Sequence, residues 1–285
     1  MSNFSALLDA CVIFPFSLSN ILLEAAHKGL YRVHFSHKIL DEAITNRVKR
    51  GKMEQPAADR FRSALIEGFS HALVESPVDL EDKMDNHPGD RHVLASAVYA
   101  KVDVIVTSNV KHFPPSSVSH WGIEVMHPDD FLSYLCDENG DDILCDLLSG
   151  MIANYKKPPI TDLEFISNLE KQQPKFASRM LISKYGDCIQ NFARNVLMTV
   201  PVPSQDMERC LNGKIFKICE INNSIVINER SSKRKVFCSY NDEFTGEMKV
   251  KDIELFNQVS KEIEVNKIPS KVRKLRNYKS KIVES

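Results

Sequence analysis

The chain has no CxxC pair. Its seven cysteines stand singly at 11, 136, 145, 188, 210, 219 and 238, an odd number, with no Cys/His spacing of the kind that holds zinc. That pattern excludes a disulfide framework and reads as reduced, mostly buried thiols in a cytosolic protein. Long apolar runs are also missing: none approaches the roughly 20 residues needed to span a bilayer. The opening Met1-Ser2-Asn3-Phe4 lacks the basic and then apolar character of a secretory leader. The expectation is therefore a soluble, cytoplasmic protein. No GxGxxG or Walker pattern occurs, so a nucleotide cofactor has no support. Internal repeats and low-complexity blocks are absent, and no Ser/His/Asp constellation is evident.

Net charge is almost absent too, at -1 over 285 residues, but the average hides a division. Residues 206–285 carry 17 Lys and Arg against 12 Asp and Glu, and residues 1–205 carry 20 against 26. Lys267 to Lys281 holds seven basic residues and no acid. Such a stretch suits a polyanionic partner, or is simply a solvated tail.

What is present is an alternation of strand-like and helix-like segments. Residues 5–14, SALLDACVIF, read as a first strand interrupted by Asp9 and ended by Pro15. A helix from Ser17 to Gly29 follows, and then a second strand around Tyr31 to Phe35. Ser36 is a good N-cap for a helix over His37 to Lys49. A third helix runs from Gln55-Pro56 to about Ser70 with Phe61, Leu65, Ile66 and Phe69 inward, and Ala72 to Val74 suit a short strand. Arg91 to Ala100 forms an Ala-rich helix, Asp103 to Thr107 a central strand, and Trp121 to Val125 one more. Strands alternating with helices predict a parallel α/β sheet covered on both faces. Residues 139–182 are helical in pattern, with a capping box at Thr161 and Glu164. Beyond Pro201 and Pro203 the texture changes to short β-like runs at 215–218, 224–228 and 235–240.

Three acids stand out by placement. Asp9 sits inside an apolar run, where a free carboxylate is costly unless it is paired, protonated or metal-bound. Glu42 follows the second strand by a helical turn, and Asp90 opens the helix before the 103–107 strand. With the first strand in the middle of the sheet, all three project to the rim where open α/β sheets place their chemistry. Thr107, Ser108 and Asn109 end their strand at the same rim. Clustered carboxylates repel and call for a cation, and hard oxygen donors select Mg²⁺ or Mn²⁺. Singly, each residue has a plainer reading. Glu42 could be a solvated helix residue, with Asp41 about 100° away around the helix. Asp90 could be an N-cap, and Asn109 a turn residue. Cys11, next but one to Asp9, reads as a small buried residue whose thiolate the acid disfavours.

The strings LLDACVIFPFSLSNILLEAAHKGLYR, HKILDEA, GDRHVLASAVYAKVDVIVTSNVKHFP and GIEVMHPDDFL resemble, in order and spacing, the PIN domain and more narrowly its VapC-like toxin branch. The later PPITDLEFISNLEKQQPKFASRML is similar to that branch's helical extension, so the resemblance covers about 1–182. It implies a PIN-like three-layer α/β/α nuclease domain over 1–137 and a helical extension over 138–200. A small β-rich module of unknown fold (206–265) and a basic tail (266–285) would follow. It further implies a metal-dependent endoribonuclease, the toxin of a toxin–antitoxin pair. RNA (tRNA, rRNA or mRNA) would be its substrate, with an antitoxin protein as partner and a homodimer as the common assembly.

The catalytic quartet implied is Asp9, Glu42, Asp90 and Asn109, with Mg²⁺ or Mn²⁺ held by Asp9, Asp90 and Glu42. Water attack would leave a 5′-phosphate and a 3′-hydroxyl. Arg91, Thr107 and Ser108 would stand near the substrate, with Thr107 and Ser108 positioning acids or water rather than attacking. Asn109 stands where many relatives carry Asp. His112 stands where an acid often precedes Phe-Pro, and His87 and Gly89 stand where acids often precede the Arg-His pair. These departures put a second metal in question. They also define a competing reading, a degraded PIN domain that binds RNA or serves as a scaffold. A flap-type DNA nuclease is disfavoured, since no long helical arch insertion is visible.

Overall fold

The computed structural model describes residues 4–155 and 158–185, the segments 207–211, 214–221, 224–229 and 234–239, and residues 253, 254 and 257. The expected boundary prolines Pro201 and Pro203 and the basic stretch Lys267 to Lys281 lie outside the described residues. The chain divides into two compact units, 1–176 and 177–285.

The first unit is a mixed α/β layer structure. Its elements are β1 (Ser5–Leu8), α1 (Ala10–Ile13), α2 (Phe16–His27), β2 (Arg32–Ser36), α3 (His37–Lys49), α4 (Gln55–Gly68), β3 (Leu73–Val74) and α5 (Val78–Glu81). They continue with α6 (Arg91–Ala100), β4 (Val104–Val106), α7 (Pro115–Val118), β5 (Glu124–Met126), α8 (Pro128–Asn139), α9 (Asp141–Ala153) and α10 (Asp162–Glu170). The five strands form one parallel sheet in the order β3-β2-β1-β4-β5. β1 is in the middle of the sheet, where the rim placement of the three acids requires it, and β4 is its neighbour. Leu7 pairs with His34 on one side and Ile105 on the other. Every residue of β1 and β4 is buried, as strands covered on both faces require.

One expectation needs correcting. The apolar run 5–14 is not a single strand: β1 stops at Leu8, and Ala10–Ile13 coil into the one-turn helix α1. The Asp9 N–H still donates to the Val106 carbonyl at 3.1 Å, while the Asp9 carbonyl accepts from Val12 and Ile13. The switch leaves no mark in hydrophobicity because Ala10, Val12 and Ile13 are buried as well. A short, continuous apolar run does not distinguish a buried strand from a buried helix.

Other boundaries follow the sequence signals closely. Ser36 caps α3, its hydroxyl accepting the Ile39 N–H at 3.3 Å. The Thr161/Glu164 capping box is formed at α10. In α4 only Ala58 and Leu65 are buried; Phe61, Ile66 and Phe69 are half-covered. Below the sheet, Tyr31 meets Phe131 edge-on at 5.0 Å and donates its hydroxyl to the Leu22 carbonyl. This contact ties α2 and α8 to the core. Gly140, at φ 96°, turns the chain between α8 and α9 in a conformation that favours glycine. A helix over 174–185 closes the described part of this region.

In the second unit, β6 (Met207–Leu211), β7 (Lys214–Ile221), β8 (Ser224–Glu229) and β9 (Arg234–Ser239) form an antiparallel sheet in sequence order. The three β-like runs read from the sequence correspond to β7, β8 and β9.

Candidate functional site

The site is built from the carboxyl ends of β1 and β4 and the starts of α3 and α6. Asp9 follows the last residue of β1 and is only 3 % exposed. Its carboxylate Oδ2 accepts the Thr107 hydroxyl at 2.6 Å and the Cys11 thiol at 3.1 Å. Burial pushes the Asp9 carboxyl above its ordinary value; the Thr107 and Cys11 hydrogen bonds oppose this, and the charges of Asp90 and Glu42 push it further up. Of the three acids singled out in the sequence, Glu42 and Asp90 therefore both lie close enough to act on Asp9.

Thr107 directly follows β4 and is fully buried. Its Oγ1 donates to Asp9 and accepts the Asn109 N–H at 3.0 Å, so one hydroxyl links the ends of the first and fourth strands. The Ser108 N–H donates to the Cys11 sulfur at 3.2 Å. Burial and Asp9 together push the Cys11 thiol up to about 12, so it stays protonated at neutral pH and is no nucleophile.

Glu42 stands on α3, about half exposed, with its Oε2 3.5 Å from the Nε2 of the buried His92. That contact lacks hydrogen-bond geometry, and the His92 Nε2 has no other partner. Asp90 ends a 3-10 turn over Pro88–Asp90 and precedes α6, yet its side chain makes no capping bond. Instead its Oδ2 lies 2.6 Å from the His112 Nδ1. The plain N-cap reading of Asp90 is therefore not what its carboxylate does. Arg91 is half-buried, and its Nε has no hydrogen-bond partner.

Glu42, Ser108 and Asn109 line a cavity of about 720 Å³ together with Cys11, Asn46, Arg50 and the Lys171-Gln172-Gln173 turn. One acid, Glu42, thus shares an opening with the basic Arg50 and Lys171. Another cavity, about 580 Å³, lies between Phe16, Leu23, Phe69 and Met151 and brings no comparable set of groups together.

Two supporting residues were not visible in the sequence. Arg47, 2 % exposed, reaches from α3 to the carbonyls of Ile13 and Phe14 and to the Ser19 hydroxyl. It satisfies the C-terminal carbonyls of α1, the turn that follows Asp9. Asp129, 4 % exposed, accepts the N–H groups of Lys175 at 3.1 Å and Phe176 at 2.9 Å. That bond holds the chain just after the Lys171 to Gln173 turn that lines the cavity. Neither role has a local sequence signal, because both partners are distant in the chain. The His-Pro-Asp-Asp string marks Asp129 only as a helix-start acid.

Carboxylates and a side-chain amide at the end of a parallel sheet form a hard-oxygen donor set. By donor type these residues suit Mg²⁺ or Mn²⁺, and a divalent cation would relieve the repulsion felt by Asp9; the set whose ligand atoms lie within 4.8 Å of one another among the described residues is His87, Asp90 and His112.

Residues 128–181 match the family model described as VapC50 C-terminal domain. Over 112 residues the chain is 42% identical to a curated protein of Mycobacterium tuberculosis named "Putative ribonuclease VapC50". That alignment takes in 39% of this chain and 66% of the relative, just under two thirds of the relative's length. No solved structure matches the chain. The parallel sheet order, the acids at its rim and these two similarities agree: the chain is similar to the VapC-like branch of the PIN-domain family.

Proposed function

We propose that this protein is a Mg²⁺- or Mn²⁺-dependent endoribonuclease, the toxin of a toxin–antitoxin pair, acting at the rim formed by Asp9, Glu42, Asp90 and Asn109. The observation that carries the reading is the convergence of two acids from separate elements, Glu42 and Asp90, on the buried carboxylate of Asp9. The relative's printed name supports the substrate class. In this reading Asp9 and Asp90 hold the cation. The bound ion supplies a water of lowered pKa and offsets charge gathering on the phosphate.

The protein's own groups do the rest. Thr107 fixes the Asp9 carboxylate in one orientation through its 2.6 Å bond. Glu42, half exposed at the cavity, either completes the cation's oxygen shell or helps take a proton from the attacking water. Asn109 contributes an uncharged oxygen where a fourth acid would add repulsion. Arg50 and Lys171 on the cavity wall, with Arg91 nearby in sequence to Asp90, attract the phosphate backbone. The water oxygen bonds to phosphorus as the bond to the 3′ oxygen breaks, leaving a 5′-phosphate and a 3′-hydroxyl. An antitoxin protein would act by covering this rim, and the toxin itself would form a homodimer.

The test is incubation of the full chain with structured and single-stranded RNA in Mg²⁺, Mn²⁺ or EDTA. The expected result is cleavage in either metal, none in EDTA, and products whose new 5′ ends are labelled by kinase only after phosphatase treatment. Equal cleavage in EDTA would sink the proposal. The competing reading, a PIN scaffold that binds RNA without cutting it, is favoured by Asn109 and His112 standing in acidic positions. It predicts retained RNA binding with no metal-dependent product from any RNA.

A further inference from the structure

The loop before α6 and the turn after β4 bring together a second set of ligand-bearing groups. His87, Asp90 and His112 each offer one ligand atom, all within 4.8 Å of one another. Several contacts hold the set in place. The His87 N–H donates to the His112 carbonyl at 3.0 Å. The two imidazoles stack at 4.2 Å between centroids, with 16° between their planes. Asp90 Oδ2 lies 2.6 Å from the His112 Nδ1. Gly89 keeps the turn tight: its N–H donates to the His87 Nδ1 at 3.3 Å, and a Cβ there would stand 3.4 Å from that nitrogen. His87 is exposed, with Asp90 and His112 half-buried, so an ion can enter and keep water in its shell.

We propose that His87, His112 and Asp90 form a mixed nitrogen/oxygen site for a divalent transition ion, Zn²⁺, Co²⁺ or Mn²⁺. Imidazole ligands suit these ions, whereas the all-oxygen set of Asp9, Asp90 and Glu42 suits Mg²⁺. The neutral residues at 87 and 112 then do not simply delete a metal site. They change its ligand chemistry, and Asp90 joins it to the neighbouring oxygen site. On ligation, the ion takes the place of the hydrogen bond between His112 and Asp90. The site shares Asp90 with the ribonuclease reading, but its two imidazole donors belong to it alone and can be read without substrate.

The experiment uses the full chain, stripped of metal, labelled with ¹⁵N-histidine and titrated with Co²⁺. Two imidazoles should acquire large paramagnetic shifts. The shifts should persist in Asp9→Asn and in excess Mg²⁺, and disappear on adding Zn²⁺. In His87→Ala and His112→Asn, Co²⁺ affinity should fall by more than the roughly 10–100-fold that losing an outer-shell partner costs. Thermal unfolding of each variant checks that it folds. Wild-type protein in which Co²⁺ shifts no imidazole overturns the proposal, whatever the variants do. So does a folded His87→Ala/His112→Asn double variant that keeps the shifted pair. Failure to cleave RNA would leave the cobalt result standing, and loss of the cobalt signal would leave Mg²⁺-dependent cleavage to be judged separately.

Discussion

Asp9 is a buried acid whose carboxyl is raised above its ordinary value near 3.8 by burial and by two neighbouring acids. The folded chain therefore holds this proton more tightly than the unfolded chain does. Between the ordinary and the raised value the folded state binds more protons, so this contribution to stability is complete at lower pH and is lost as pH rises through that window. Above the raised value the ionised Asp9 is a net cost that a divalent cation would offset. Asp9→Asn removes the charge but keeps an acceptor for Thr107 and Cys11. In EDTA it should raise Tm by about 2–4 °C, the shift that ~1 kcal/mol gives a domain of this size. Added Mg²⁺ should narrow the gap, which calorimetry of the two proteins would show. Thr107→Val should do the opposite. It leaves Asp9 short of its 2.6 Å donor and the Asn109 N–H without its acceptor, at a cost of about 1–3 kcal/mol for each bare group. Denaturant titration measures that loss. Cys11, pushed up to about 12, should resist iodoacetamide at neutral pH in the folded chain and react once unfolded, as mass spectrometry would report.

At the scale of elements, α3 has two functions. Its first half places Glu42 at the rim, and its last turn sends Arg47 under α1 to close the carbonyls of Ile13 and Phe14. Arg47→Met should cost about 1–3 kcal/mol for each carbonyl left bare and should weaken the hold on Asp9. Its measure is a lower urea midpoint together with lower activity. Asp129→Ala frees the backbone at Lys175 and Phe176. Hydrogen exchange should speed up at those two amides and across the Lys171 to Gln173 turn while the sheet stays protected. The elements themselves were largely legible. Ser36, the Thr161/Glu164 pair and the Ala-rich run at 91–100 mark helix limits by local chemistry, and each helix forms where its signal stands. The end of β1 was not legible, since the apolar run passes unbroken from strand into helix. Arg47 and Asp129 could not be read because their partners are distant in the chain. The His87/Asp90/His112 set was hidden for another reason: residues 87 and 112 registered as missing acids, and only the fold shows their rings stacked beside Asp90.

At the scale of the whole molecule, charge is divided along the chain, with an acidic first part and a basic last part. If Lys267 to Lys281 binds RNA phosphates, removing it should flatten the salt dependence of RNA binding, by about 0.7 in log-log slope for each phosphate no longer neutralised. An unchanged slope would assign RNA binding to the first unit, where Arg50 and Lys171 share a cavity with Glu42. The central claim concerns the rim: acids from β1, α3 and α6 cooperate around one cation to cut RNA. Single-turnover cleavage of one RNA by the wild type, Asp9→Asn and Asp90→Asn, each in Mg²⁺ and in EDTA, tests it most directly. The prediction is a Mg²⁺-dependent rate that falls at least about 10²-fold in each variant, the scale of removing one group that acts in the transition state. A wild-type rate that is the same in EDTA, or variants that cut as fast as the wild type, would contradict it.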